Sequence, residues 1–91
     1  MIAASQVFYE GHVQGVGFRW TVRQIASGFE VVGWVKNLPD GRVEMHACGE
    51  AEEVASFLEA VAQSELKSHI RRVETQPAVV ESGLRGFVIA R

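Results

Sequence analysis

The chain has 91 residues, 47% apolar and 22% charged, which suits one globular core and is too short to join a cofactor domain to a separate substrate domain. A formal net charge of −2 argues against the basic footprint of a nucleic-acid binder. The only cysteine, Cys48, excludes an internal disulfide and a thiolate metal cluster, fits a reducing compartment, and is expected as a half-buried strand thiol.

The opening Met1 to Gln6 has neither the basic start nor the apolar stretch of a secretion signal. No run reaches the roughly 20 apolar residues of a membrane span, so a cytoplasmic protein with no membrane partner is expected. Val7-Phe8-Tyr9-Glu10 predicts a first strand that ends between Gly11 and Val13. Phe18, Val22, Ile25 and Phe29 then fall on one helical face, which predicts helix one. Val31 to Lys36 is β-rich, and Val43, Met45 and Ala47 alternate with Arg42, Glu44 and His46, so a hairpin closes through Asn37-Leu38-Pro39-Asp40-Gly41.

Glu50, Glu52 and Glu53 suit the positive end of a second helix, whose apolar stripe is Val54, Phe57, Leu58 and Val61. Ser64 to His69 reads as a polar, irregular connection. A fourth strand follows around Val73 to Val79, weakened by Pro77, and Phe87 to Ile89 adds a short fifth strand at an edge. No linker, low-complexity tract or internal repeat divides the chain, so residues 1–91 are expected to form a single domain.

The order β-α-β-β-α-β is that of the α+β, ferredoxin-like split β-α-β arrangement, with two helices on one face of an antiparallel sheet ordered 4-1-3-2. Strands one and two are then both antiparallel to strand three and finish at the same edge. Two inter-strand spacings put Gly11 to Arg19 and Asn37 roughly 10 Å apart, room for a phosphate and a water.

Gly11-His12-Val13-Gln14-Gly15-Val16-Gly17-Phe18-Arg19 places three glycines where a strand gives way to a helix. Glycine permits positive φ, so successive N–H groups can converge on one anion ahead of a helix N-terminus, and Arg19 adds a planar bidentate donor. No Gly-Lys-Ser/Thr follows, which excludes a Walker-type loop, and the chain is too short for a dinucleotide fold. Read from spacing alone, a glycine-rich turn with a solvated Arg19 stays open beside the phosphate loop, as does a merely turn-capping Asn37.

The pattern Gly11-x-Val13-Gln14-Gly15-Val16-x-Phe18-Arg19 resembles the first signature of the acylphosphatases. Gly33-Trp34-Val35-Lys36-Asn37-x-x-x-Gly41-x-Val43, continuing to Gly49, resembles their second. The resemblance implies a ferredoxin-like fold and metal-independent hydrolysis of acyl phosphates to a carboxylate and inorganic phosphate, with no cofactor. It implies Arg19 and Asn37 as the catalytic pair. The backbone N–H groups of Val13, Gln14, Gly15, Val16, Gly17 and Phe18 would bind the phosphoryl group, and Asn37 would orient the attacking water.

The implied partner is a small-molecule acyl phosphate, with inorganic phosphate as product; the charge balance argues against a nucleic-acid partner, and a monomer is expected because nothing in the sequence requires more. The chain departs from the family at Val22, where threonine is common, at Glu30, where glycine is common, and at its Ala90-Arg91 terminus, where an aromatic residue is common. His12, His46 and His69 are expected to be solvated, and Trp20 and Trp34 to serve packing. The alternatives are a noncatalytic phosphate- or acyl-phosphate-binding module and a ferredoxin-like domain that reads RNA on its open sheet face.

Overall fold

The computed structural model describes all 91 residues. In chain order the elements are β1 (Ile2–Gly11), α1 (Phe18–Ala26), β2 (Val31–Asn37), β3 (Val43–Glu50), α2 (Ala51–Ala62), β4 (Ile70–Pro77) and β5 (Phe87–Ile89). The strands form one sheet in the order β4-β1-β3-β2-β5. This is the ferredoxin-like order expected, extended by β5, which pairs parallel with β2 and makes the sheet mixed.

Alternation sends Val7, Val35, Val43, Met45 and Ala47 into one core with Phe18 and Val22 of α1 and Val54, Phe57 and Val61 of α2. Both helices therefore cover the same sheet face. Of the stripe expected for α2, Val54, Phe57 and Val61 are buried and Leu58 is half-buried, and Glu53 accepts from the Glu30 N–H at 2.8 Å, tying the helix start to the approach to β2.

Several boundaries move for tertiary reasons. β1 begins at Ile2 rather than Val7, because β3 runs on to Glu50 and offers Ile2 to Gln6 a ladder partner at every position. α1 stops at Ala26, before Gly28, yet Phe29 still packs on Phe57 with ring centroids 6.0 Å apart. The polar connection contains a 3-10 turn over Glu65–His69, capped by Ser64, whose hydroxyl accepts from the Leu66 N–H at 3.1 Å while the Leu66 side chain enters the core. β4 consequently starts at Ile70 and closes at Pro77, which has no N–H to offer the ladder, and Val79 lies outside the strand, 83% exposed.

Two side chains are more buried than expected. Cys48 is buried outright rather than half-buried. His46 alternates to the sheet face opposite Met45, as expected, but it is not solvated: it is 4% exposed. The Trp34 ring stacks on it at 5.8 Å and 13°, and Glu81, from the connection that leads to β5, comes within 3.8 Å of its Nε2. Its neighbours there come from both flanking strands, Gln6 of β1 and Trp34 of β2, and from the later chain. Trp34 packs as expected, with the Lys36 ammonium 5.1 Å from its ring centroid.

The feature that positions the site is register. Tyr9 of β1 and Asn37 of β2 pair with the same residue, Val43, from its two sides. The end of β2 and the loop that leaves β1 are thereby held at one edge of the sheet.

Candidate active site

The loop from Gly11 to Arg19 is pinned at two points. The Val13 and Phe18 side chains are almost wholly buried, and Phe18 packs on Tyr9 with centroids 5.1 Å apart. Burial desolvates Tyr9 and raises its phenol pKa well above the ordinary value, so it supports the loop as a neutral ring. Val16 also packs against the core. With these side chains turned inward, the backbone between them is left to face outward.

None of the N–H groups of residues 13–17 donates to an acceptor in the chain. Phe18 opens α1, so its N–H has no intrahelical partner either. Gly17 is the N-cap of that helix at φ 79°, and Gly15 has φ 78°; no other residue would hold both bends without strain. α1 carries no side-chain cap and no acidic residue in its first turn. A row of free donors at an uncapped helix start is an anion site.

Arg19 and Asn37 reach that row. One cleft of about 150 Å³ is lined by Val13, Gly15, Gly17, Phe18, Arg19, Trp20, Asn37 and Ile89. Arg19 is its only charged side chain and enters none of the ion pairs of the protein, so its guanidinium is free to meet a ligand. The Asn37 Oδ1 is buried and accepts no hydrogen bond. An orphaned acceptor of this kind costs about 1–3 kcal/mol, and a donor supplied from outside the protein would recover it.

The structure thus brings Val13, Gly15, Gly17, Phe18, Arg19 and Asn37 together. Gln14 and Val16, also expected in the phosphate loop, do not line the cleft. Gln14 instead braces the loop from behind, since its Nε2 donates to the Leu38 carbonyl at 2.8 Å and to the Arg42 carbonyl at 2.9 Å. It ties the loop to the β2–β3 turn, and so to the strand end that carries Asn37. That turn is closed by the Leu38 N–H on the Arg42 carbonyl at 2.8 Å and by Asp40, which accepts from the Arg42 N–H and Nε.

Trp20 does not pack as expected. It is 60% exposed and stands at the cleft, because its place on α1 lies off the buried face of Phe18, Val22 and Ala26. Ile89 carries no sequence signal for the site at all, since only the parallel pairing of β5 with β2 brings it there. Of the histidines, His12 is exposed as expected and His69 is half-buried.

A model of the acylphosphatase family matches residues 5–89. The chain is 42% identical over 79 residues to an acylphosphatase of Archaeoglobus fulgidus, covering 87% of this chain and 89% of that one. It is 42% identical over 81 residues to an acylphosphatase of Bacillus velezensis, covering 89% and 90% of the two chains. The crystal structure of acylphosphatase from Bacillus subtilis superimposes with a TM-score of 0.87 at 35% identity over the full length of both chains.

Proposed function

The chain belongs to the acylphosphatase family, whose reaction is the hydrolysis of acyl phosphates, and we propose that in it Arg19 and the loop N–H groups bind the phosphoryl group while Asn37 orients the attacking water. The observation that carries this reading is the orphaned Asn37 Oδ1 in the same small cleft as an unpaired arginine and free backbone donors. Arg19 meets two phosphoryl oxygens as a fork, and the N–H groups of the loop take the charge that develops on the oxygens in the transition state. Asn37 Oδ1 accepts a hydrogen bond from water and turns its free lone pair toward phosphorus.

Asparagine is no base at neutral pH, so the water proton passes to a phosphoryl oxygen of the substrate as the new P–O bond forms. The bond from phosphorus to the acyl oxygen breaks, and its electron pair leaves with the carboxylate. A carboxylate is a weak base and leaves without a general acid, so positioning and charge stabilisation suffice and no metal is called on. Every group invoked comes from one chain, and we propose that residues 1–91 act as one domain and a cytoplasmic monomer on a freely diffusing acyl phosphate, with no nucleic-acid partner.

The test is hydrolysis of benzoyl phosphate in the presence of a chelator. Turnover above the spontaneous rate, undiminished by the chelator, is expected. Folded protein that binds inorganic phosphate without turnover would leave only a noncatalytic binding module.

A further inference from the structure

A second depression, of about 430 Å³, lies on the other side of the loop, where the end of β1 meets the start of β4. Gly11, His12, Ser68, His69, Ile70 and Arg71 line it, and no carboxylate does. The His12 N–H donates to the His69 carbonyl at 2.9 Å, which sets the two imidazoles side by side with centroids 5.9 Å apart. Arg71 enters no ion pair, unlike its neighbour Arg72, which is held by Glu10 and Glu74. Lys67 stands in the same turn as His69, also without an ion pair. Glu65 opens that turn, so Lys67 adds no net charge to it, and the charge of the depression itself is that of Arg71.

Strand order sets what this corner faces. Along the sheet edge the sequence is Asn37 at the end of β2, the loop at the end of β1, and then the depression at the seam of β1 and β4. In-line displacement places the leaving oxygen opposite the attacking water. With that water held by Asn37, the acyl group points away from β2 and toward the β1–β4 seam. One strand spacing, about 4.8 Å, is the scale of that reach, which a short acyl group spans.

We propose that His12, His69 and Arg71 form an acyl-end subsite that takes a carboxylate carried on the acyl group, so that the enzyme favours acyl phosphates with a second anionic end. The inference rests on the roles given above to Arg19 and Asn37. Free imidazole and guanidinium donors around an acidless depression suit an anion, and their exposure keeps the gain modest.

The test compares para-carboxybenzoyl phosphate with benzoyl phosphate, on the wild type and on the double variant His12→Gln, Arg71→Gln. The quantity read is the ratio of the two kcat/KM values, and its change on mutation is independent of the intrinsic reactivity of either compound. The double variant is expected to lower the ratio about fivefold, through KM for the carboxylated substrate, with benzoyl phosphate kinetics unchanged. A ratio unmoved by the double variant overturns the proposal. So does a weaker inhibition of benzoyl phosphate hydrolysis by inorganic phosphate in the variant, which would make the depression a phosphate site and not an acyl-end site. Failure of the wild type to hydrolyse benzoyl phosphate at all would bring down the reading of Arg19 and Asn37 and this inference with it, so the two failures are distinguishable.

Discussion

The loop wall of the cleft binds through its own backbone, bent by Gly15 and Gly17 and anchored by Val13 and Phe18, whereas the opposite wall is a strand-end asparagine whose place depends on the register of β2 on β3. The first wall is local: nine consecutive residues hold nearly everything an anion needs. The second is non-local, and Asn37 becomes part of a site only because Val43 sits between it and Tyr9. A binding function can be carried by one segment, but the proposed reaction needs two, and Gln14 is the side chain that spans them.

Arg19→Gln should show the largest effect, because it removes the only charge in the cleft along with its fork of donors. A loss of about a thousandfold or more in kcat/KM for benzoyl phosphate is expected, together with weaker inhibition by inorganic phosphate. Near-normal kinetics would separate binding from the loop wall. Asn37→Ala should cost about a hundredfold in kcat with KM nearly unchanged, since the lost contact is to water and not to phosphate. A rise in KM alone would place Asn37 on the binding side and erase the contrast between the walls. Both variants should keep the wild-type circular dichroism spectrum.

Gln14→Ala cuts the tie itself. Two half-buried hydrogen bonds contribute about 2 kcal/mol together, so Tm should fall by roughly 10 °C. Turnover should fall by about tenfold as the walls lose alignment, and full activity at reduced stability would show that the strands alone set the geometry.

Asp40→Asn should show the smallest effect and probes only the far side of the turn. The Arg42 N–H, then its guanidinium, hold the Asp40 carboxyl below its ordinary range. A depressed folded-state pKa adds stability that is present above the ordinary carboxylate value and is lost as pH falls through the folded-state one. Urea midpoints of wild type and variant should therefore differ slightly at neutral pH and converge below about pH 4, with activity near wild type throughout.

The legible parts of the molecule are those whose signals are local. Periodicity locates the stripes of both helices, and hairpin chemistry locates the turn through Pro39 and Gly41. The features that depart from expectation depend on chain far away in sequence. Ile2 to Gln6 form strand because β3 is there to pair with them, and His46 is buried because Trp34 and Glu81 close over it. Trp20 looks like a packing residue by type, and only the orientation of α1 leaves it at the cleft. Gln14 carries no sign of its partners, which are carbonyls of another turn.

By itself the amino-acid sequence determined the order of the elements, the bends of the glycine loop and the two segments that supply Arg19 and Asn37, because propensity, period and turn chemistry act over a few neighbouring residues. Tertiary structure alone decided that Gln14 joins those segments, that Ile89 and Trp20 border the cleft they share, and that His12, His69 and Arg71 gather on its far side. These are consequences of strand register and sheet order, which depend on how distant segments pack and are written in no single stretch of the chain.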